Sequence, residues 1–126
     1  MQLIVFHKLL TNNIRRWRKI ENREVYEARA EVAKALSHPL RLQIIDILSE
    51  QDDSCVQDLT EKLPASQSSI SKHLKILKQA GIIRRRKEGL KNFYSLQAPC
   101  VTGFFDCLDE VLKIDFQDKK EKLDMS

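Results

Sequence analysis

The most constraining feature of this 126-residue sequence is the stretch of residues 66–94. It begins with a polar, serine-rich segment at residues 66–69, which leads into an amphipathic helical pattern that ends at Gly81. Two isoleucines and a basic run then precede a turn at Gly89 and a second strand-like run at residues 91–96. The stretch therefore predicts a helix with an exposed polar side, followed by a positively charged β-hairpin.

Duplex DNA is the most economical partner for this combination. The major groove admits a helix, and basic side chains on a hairpin suit the phosphate backbone. Residues 72–91 contain eight basic residues and one acidic residue, a net charge of +7, whereas residues 106–126 contain four basic and seven acidic residues, a net charge of −3. A basic patch beside an acidic tail is typical of a nucleic-acid-binding protein, although an ordinary solvated face would also be basic.

Length and composition favour one folded domain with a modest core. Hydrophobic residues make up 42% of the sequence and charged residues 32%, which indicates a globular protein rather than a disordered one. Only three glycines and three prolines occur, which favours helices over a many-turned β fold. We expect a mainly α fold with a small β-hairpin, of the α+β class, with five or more helices and a two-stranded wing.

The helices are predicted from apolar periodicity and from capping residues. Residues 24–36 form the first, and residues 39 to about 50 form a second, strongly apolar helix capped by Ser37 or His38. Ser54 is expected to cap a short third helix, with Gln57 completing a capping box, and Ser66 to cap the fourth. Because the third and fourth helices are close in sequence and the fourth has a polar outer face, they predict a helix-turn-helix.

A last helix is expected to begin near Pro99. Its apolar residues fall on more than one side, which predicts that a second subunit covers it. These residues are Val101, Phe104, Phe105, Leu108, Val111, Leu112 and Ile114. We therefore expect a homodimer that forms through its N- and C-terminal helices. The predicted organisation is an extension at residues 1–22, a DNA-binding domain at 23–98, a dimerisation helix at 99–116 and an acidic, polar tail at 117–126.

The N-terminal segment bears on localisation. Residues 1–10 are apolar but too short to span a bilayer, and they lack the features of a signal peptide. We therefore expect a cytoplasmic protein with reduced cysteines and no membrane partner. Residues 12–23 are basic and polar, which fits a flexible arm that touches DNA phosphates, a frayed extension or a poorly chosen start codon.

Four segments together resemble the ArsR/SmtB family. They are residues 35–41 (ALSHPLR), residues 54–59 (SCVQDL), residues 66–75 (SQSSISKHLK) and the hairpin at residues 81–96. The resemblance covers roughly residues 24–112, with several motifs in order and at the right spacing. It implies a winged helix-turn-helix fold and a dimeric repressor that leaves operator DNA when it binds an effector.

The same resemblance implies which residues meet DNA. Gln67, Ser68, Ser71 and Lys72 match the family's positions on the recognition helix, where short hydroxyls and amides can reach base edges or phosphates. The full predicted DNA-binding set is Gln67, Ser68, Ser69, Ser71, Lys72, Lys75, Arg84, Arg85, Arg86, Lys87 and Lys91. His38 is interpreted as a structural residue, and His73 as a helix-packing or phosphate-side residue, rather than as metal ligands.

Three cysteines are the candidate effector ligands: Cys55, Cys100 and Cys107. The family's common metal motif on the third helix has two cysteines flanking a valine, whereas this chain has glutamine at the second position. The family's other common site uses histidines and carboxylates on the last helix, but no histidine follows His73. An ordinary zinc site is therefore not expected. Cys55, at a predicted helix N-terminus where the helix dipole favours a thiolate, is the first candidate for a reactive sulfur.

Cys100 and Cys107 are expected on one face of the last helix. Seven residues of helix separate them by about 10 Å, so one ion cannot bridge both at metal–sulfur distances near 2.3 Å. Cooperation would require the other subunit, with the last helices crossing near Gly103. Three possibilities remain open: binding of As(III), Sb(III), Cd(II) or another thiophilic ion; sensing of oxidants or reactive sulfur; or thiols that only fill the core.

Other classes of protein are less consistent with the sequence. It has no glycine-rich phosphate loop, no nucleophile elbow and no metal-hydrolase spacing, so we do not expect an enzyme. The remaining alternatives are a winged-helix DNA-binding protein without an effector and a winged-helix domain that contacts only other proteins.

Overall fold

The fold comes from a computed structural model, which describes residues 23–124 of the chain. The predicted extension at residues 1–22 lies outside these residues. The chain divides into two compact units, residues 1–34 and 35–126, and each is described by itself. The elements in chain order are α1 (Arg23–Leu36), α2 (Pro39–Glu50), β1 (Ser54–Cys55), α3 (Val56–Lys62), α4 (Gln67–Gln79), β2 (Ile83–Glu88), β3 (Lys91–Leu96) and α5 (Val101–Asp124).

The described part of the first unit is helical throughout. It contains most of α1, which begins one residue before the predicted start and continues without a glycine or proline. Arg23 and Glu27 form an i,i+4 ion pair of 3.2 Å on its surface. Tyr26 and Val32 are exposed, at 63% and 39% of their full surface.

In the second unit, α2 is the helix around which the core is built. His38 is its N-cap, and the ring Nδ1 accepts a hydrogen bond of 3.1 Å from the Leu40 N–H. Pro39 occupies the first turn, where its missing N–H costs nothing. Ile44 and Ile45 are fully buried, which confirms that α2 is a buried, apolar helix.

The start of α3 differs from its prediction by one residue. Cys55, not Ser54, is the N-cap, and its N–H donates to Asp58 Oδ2 at 3.1 Å. That hydrogen bond is the main cause that lowers the pKa of Asp58. Ser54 instead pairs with Tyr94 in the sheet, and its hydroxyl donates to Gln51 at 3.1 Å. The predicted capping box of Ser54 and Gln57 is wrong because this strand pairing, which is long-range, holds Ser54 outside the helix.

The ends of α4 agree with the sequence. Ser66 is the N-cap, and its Oγ accepts a hydrogen bond of 3.2 Å from the Ser69 N–H. At the other end Gly81 has φ of 80°, and the Ile82 N–H donates to the Leu77 carbonyl at 3.1 Å. This is a Schellman C-cap, which needs the left-handed conformation that glycine adopts most easily. It turns the chain sharply from α4 into β2.

The three strands form an antiparallel sheet in the order β1-β3-β2. β2 and β3 are the predicted hairpin, joined at Gly89, whose φ is 62°. Ile83 and Tyr94 are buried in the same core as Ile70, Leu74 and Leu77 of α4. The two-residue strand β1 was not predicted, but the winged helix-turn-helix fold with five helices in residues 23–124 is confirmed.

The last helix, α5, is longer than predicted. It runs from Val101 to Asp124, so most of the predicted tail at residues 117–126 is helical. No proline or glycine follows Gly103, and side-chain pairs at helical spacing stabilise the segment, including Lys119 with Asp115 at 2.8 Å. Cys100, which was expected on this helix, lies one residue before it, because the turn that starts at Pro99 precedes the helix.

No helix within residues 23–124 has the length and apolar character needed to cross a membrane.

Candidate nucleic-acid interface

One side of α4 carries the predicted DNA-reading side chains. Ser68, Ser71, Lys72 and Lys75 recur at i, i+3, i+4 and i+7, and all four are exposed. Such spacing puts them on one face of a helix. The opposite side of α4 is held in the core by Ile70, Leu74 and Leu77, which are fully buried. The amphipathic pattern therefore fixes which face of α4 is presented outward.

In the first turn of α4, some polar residues cap the helix and others are exposed for contact with DNA. Ser66 caps the helix through its Oγ, and Ser69, whose N–H it accepts from, is half-buried. Gln67 and Ser68 are exposed, although the Ser68 hydroxyl lies 3.2 Å from that of Ser66. Of the predicted set on α4, Ser69 is thus the residue least exposed for a contact with DNA.

The wing, defined as β2, β3 and the turn between them, carries the remaining predicted residues. Arg84, Arg85, Arg86, Lys87 and Lys91 are all exposed. Their surroundings differ, because Arg84 donates to Ser95 Oγ at 3.1 Å while Arg86 pairs with Asp53 and Glu88. Hydrogen bonds to Glu88 and then to Asp53 raise the pKa of Arg86. The basic run is therefore not a uniform patch of positive charge.

His38, Arg41 and His73 form a polar cluster that the sequence did not predict. The rings of His38 and His73 lie 4.3 Å apart, between their centroids. Arg41 Nη1 is 3.1 Å from His73 Nδ1, and Arg41 Nε donates to the Ala35 carbonyl at 2.6 Å. The cluster joins the start of α2 to the middle of α4. His38 caps α2 and His73 packs against it, whereas the role of Arg41 depends on a contact across 32 residues that no local pattern reveals.

Comparison with known proteins assigns this arrangement to a family. The family described as "Bacterial regulatory protein, arsR family" matches residues 38–85, from the cap of α2 to the start of the wing. A helix-turn-helix transcriptional regulator from Methanocaldococcus jannaschii, itself uncharacterized, is 42% identical over 88 residues, which cover 70% of this chain and 99% of that protein. The chain belongs to the ArsR family. This ArsR-family protein is a transcriptional regulator with a winged helix-turn-helix, and not an enzyme.

Two further relatives of this ArsR-family protein carry more specific descriptions. The arsenical resistance operon repressor of Bacillus subtilis is 39% identical over 88 residues, which cover 70% of this chain and 81% of the repressor. A solution structure from Mycobacterium bovis, of a homodimeric winged helix-turn-helix DNA-binding domain, has a TM-score of 0.64 and 25% identity. The similarity covers 75% of this chain and 87% of that one.

The surroundings of His73 predict that the stability of this ArsR-family protein depends on pH. Arg41 can only donate, so His73 Nδ1 accepts, and His73 is neutral with its proton on Nε2. Burial first, and then the positive charges of its neighbours, lower the pKa of His73. The unfolded chain therefore binds more protons at this position, and stability is lost as the pH falls below the ordinary value of 6.5 toward the lowered one.

We expect the difference in unfolding free energy between the wild type and His73→Gln to shrink as the pH falls from 8 to 5. Glutamine can accept from Arg41 through its Oε1 but does not titrate. Urea unfolding of both proteins at several pH values measures this change. A difference that is constant with pH would contradict the assignment of His73 as a neutral acceptor.

The cysteines of this ArsR-family protein do not form one site within residues 23–124. Cys55 is buried beside the wing, at the position paired with Phe93, whereas Cys100 and Cys107 are exposed. No group of three or more histidine, cysteine or acidic side chains in this part of the chain is arranged to hold a metal ion. Any site that uses Cys100 and Cys107 would need donors from elsewhere.

Proposed function

We propose that this ArsR-family protein is a dimeric repressor that binds operator DNA through α4 and the wing. The observation that carries the proposal is the exposed row of Ser68, Ser71, Lys72 and Lys75 on α4, beside a wing with five exposed basic residues. Hydroxyls and ammonium groups on one helix face can donate to base edges and phosphates in the major groove. The basic residues of the wing supply attraction to the backbone, which does not depend on sequence.

The proposed dimer rests on an apolar row along α5. Phe104, Cys107, Val111 and Ile114 recur at i, i+3, i+7 and i+10, and so share one face of the helix. Phe104 is 44% exposed, and Val111 and Ile114 are both 60% exposed. Val101 and Phe105, on another side of α5, instead pack on the protein's own core. The row is therefore the part of α5 that a second subunit would cover, with α1 as the other expected interface helix.

A related structure supports this oligomeric state. The Mycobacterium bovis domain, which has a similar fold, is described as homodimeric. In a symmetric dimer the two copies of α4 would enter successive major grooves about 34–36 Å apart, on a partly palindromic operator. Binding two half-sites with one dimer raises the apparent affinity well above that of either half.

We propose that a thiophilic ligand releases the repressor by acting on Cys100 and Cys107. Both thiols are exposed, and Cys107 lies on the proposed dimer face. Thiolates are the donors that As(III), Sb(III) and Cd(II) prefer. Gly103 has no heavy atom within 4 Å of where a Cβ would stand, so a second α5 could approach closely there. Cys100 of one protomer and Cys107 of the other would then be the donors.

Release of DNA by arsenite tests this proposal. We expect arsenite to weaken operator binding of the wild type by roughly 5- to 150-fold, the usual range for coupling between two sites. Cys100→Ser and Cys107→Ser should each lose this response, whereas Cys55→Ser is the matched control, because its thiol is buried and belongs to the sheet rather than to the segment around α5. A response that needs only Cys55 would contradict the assignment of Cys100 and Cys107.

Exposure of the same thiols also favours a second candidate, a sensor of oxidants or reactive sulfur. Exposed cysteines are the ones that oxidants and persulfides reach first. The same variants distinguish the two candidates when arsenite, Cd²⁺ and an organic persulfide are compared. Release by the persulfide alone would favour the redox function, and release by arsenite or Cd²⁺ alone would favour the metal-responsive one.

A further inference from the structure

The wing has two faces that differ in what their side chains contact. Residues directly opposite each other in an antiparallel pair point to the same side of the sheet. The pairs Ile83–Leu96, Arg85–Tyr94 and Lys87–Asn92 therefore share one face. Ile83 and Tyr94 on this face are buried in the core that also holds α4. Arg85 and Lys87 extend the same face outward, beyond the core.

The other face of the wing carries Arg84 and Arg86, whose side chains are held by neighbours. The Arg84 Nε–H donates to Ser95, its partner across the sheet. The two terminal nitrogens of Arg86 are divided between Glu88 and Asp53, the latter at 3.1 Å. The guanidinium carbon of Arg86 also lies 5.1 Å from the centroid of the Phe93 ring. Arg86 thus contacts two carboxylates and an aromatic ring from three segments of the chain.

The partner Asp53 does not belong to the wing. It lies in the loop between α2 and β1, 33 residues before Arg86. The inner strand β3 is held by β1, which pairs with it at Tyr94 and Phe93, whereas β2 lies at the edge of the sheet. The link between Arg86 and Asp53 therefore ties the edge strand β2 to the loop before β1, at a point outside the core.

We propose that Arg86 is a positioning residue that holds the wing in place through Asp53, and that within the basic run Arg85 and Lys87 make the phosphate contacts. This inference rests on the proposed binding of DNA. It assigns different roles to the basic residues of β2 according to the face of the wing on which they lie. Two carboxylates already compensate the charge of Arg86 and engage its donors. Arg85 and Lys87 have no such ion pair within residues 23–124 and share their face with side chains packed against α4.

The sharpest test is Asp53→Asn, because a phosphate-contacting Arg86 and a positioning Arg86 predict opposite changes in DNA affinity. If Arg86 contacts phosphate and Asp53 merely competes for it, removal of this negative charge tightens DNA binding. If Arg86 positions the wing, the same substitution weakens binding, by about three- to tenfold, even though it makes the protein more positive. Asp52→Asn is the matched control, since it makes the same change in charge at the adjacent residue without breaking the link.

The salt dependence of binding provides a second readout, which a loss of folded protein alone would not change. The slope of log affinity against log salt counts the phosphates neutralised, at about 0.9 per contact. Arg85→Gln and Lys87→Gln should each lower the slope by about two in a dimer, one for each wing. Arg86→Gln should weaken binding but leave the slope unchanged. The probe is a duplex that the wild type selects from a random-sequence pool.

The outcomes separate this inference from the function on which it rests. If the wild type selects no duplex, the proposed DNA binding itself fails. If it selects one, and Asp53→Asn then binds more tightly or Arg86→Gln lowers the slope as much as Arg85→Gln does, the positioning role is overturned while the function stands. Weaker binding by Asp53→Asn, together with the unchanged slope of Arg86→Gln, supports the role.

Discussion

Replacing Val111 and Ile114 together with glutamate is expected to convert the ArsR-family protein from a dimer into monomers. Both side chains are 60% exposed and lie in the row on α5 that we propose to meet a second copy. A symmetric interface would bring four added carboxylates together in an apolar environment, where unpaired charges are strongly unfavourable. Operator binding should weaken on the order of a hundredfold or more, because a monomer binds only one half-site.

Sedimentation velocity and DNA binding of the same samples measure both effects. Leu123→Glu is the control: it introduces the same kind of side chain, once per subunit, at an exposed apolar residue of α5 that lies away from the row. The control should remain a dimer with near-normal affinity for DNA. A double variant that stays dimeric and binds DNA normally would show that the interface lies elsewhere.

Replacing Lys72 with glutamate is expected to have the second large effect. Lys72 is exposed on the same face of α4 as Ser68, Ser71 and Lys75. Reversing its charge replaces an attraction to phosphate with a repulsion, and a dimer carries two copies of the change. Because both copies lose an attraction and gain a repulsion, we expect operator affinity to fall roughly a hundredfold, which corresponds to about 2.8 kcal/mol in total.

The control for this prediction is Lys120→Glu in α5. It makes the same change in net charge, at an exposed residue far along the chain from α4. Fluorescence anisotropy with a labelled operator duplex gives both affinities, and thermal unfolding shows that each variant is folded. Equal losses for Lys72→Glu and Lys120→Glu would mean that only net charge matters, and that α4 has no special place in the complex.

The parts of the fold that follow from local patterns could be predicted. Ser66 was identified as the cap of α4, and its Oγ accepts the expected hydrogen bond. Gly81 was identified as the end of the same helix, where only a left-handed residue completes the C-cap. Capping and apolar spacing act within a few residues, so the local sequence is enough to predict where such a helix begins and ends.

Features that depend on distant contacts could not be predicted in the same way. Ser54 has the side chain of a good N-cap, yet pairing with Tyr94 holds it in β1, and Cys55 becomes the cap instead. The contact of Arg41 with His73 joins residues 32 positions apart. Neither contact can be recognised from the residues that are adjacent in the sequence.

The candidate site also combines features that follow from local patterns with features that depend on distant contacts. The exposed side of α4 follows from helical periodicity, and the structure places Ser68, Ser71, Lys72 and Lys75 together as expected. The four basic residues of β2 look equivalent in the sequence. Only the register of the hairpin and the position of Asp53 distinguish Arg86 from its neighbours. The apolar row of α5 was visible as excess hydrophobicity, but the side that faces the protein's own core became clear only from burial.

The affinity of the wild type for its selected duplex, measured from low to high salt, tests the central claim most directly. If α4 and the wing bind DNA as proposed, the affinity falls steeply as salt rises, with a slope that corresponds to about six to ten phosphate contacts. The selected duplex should also bind at least a thousandfold more tightly than a scrambled duplex. Weak binding that is independent of salt, or equal binding to both duplexes, would contradict the account.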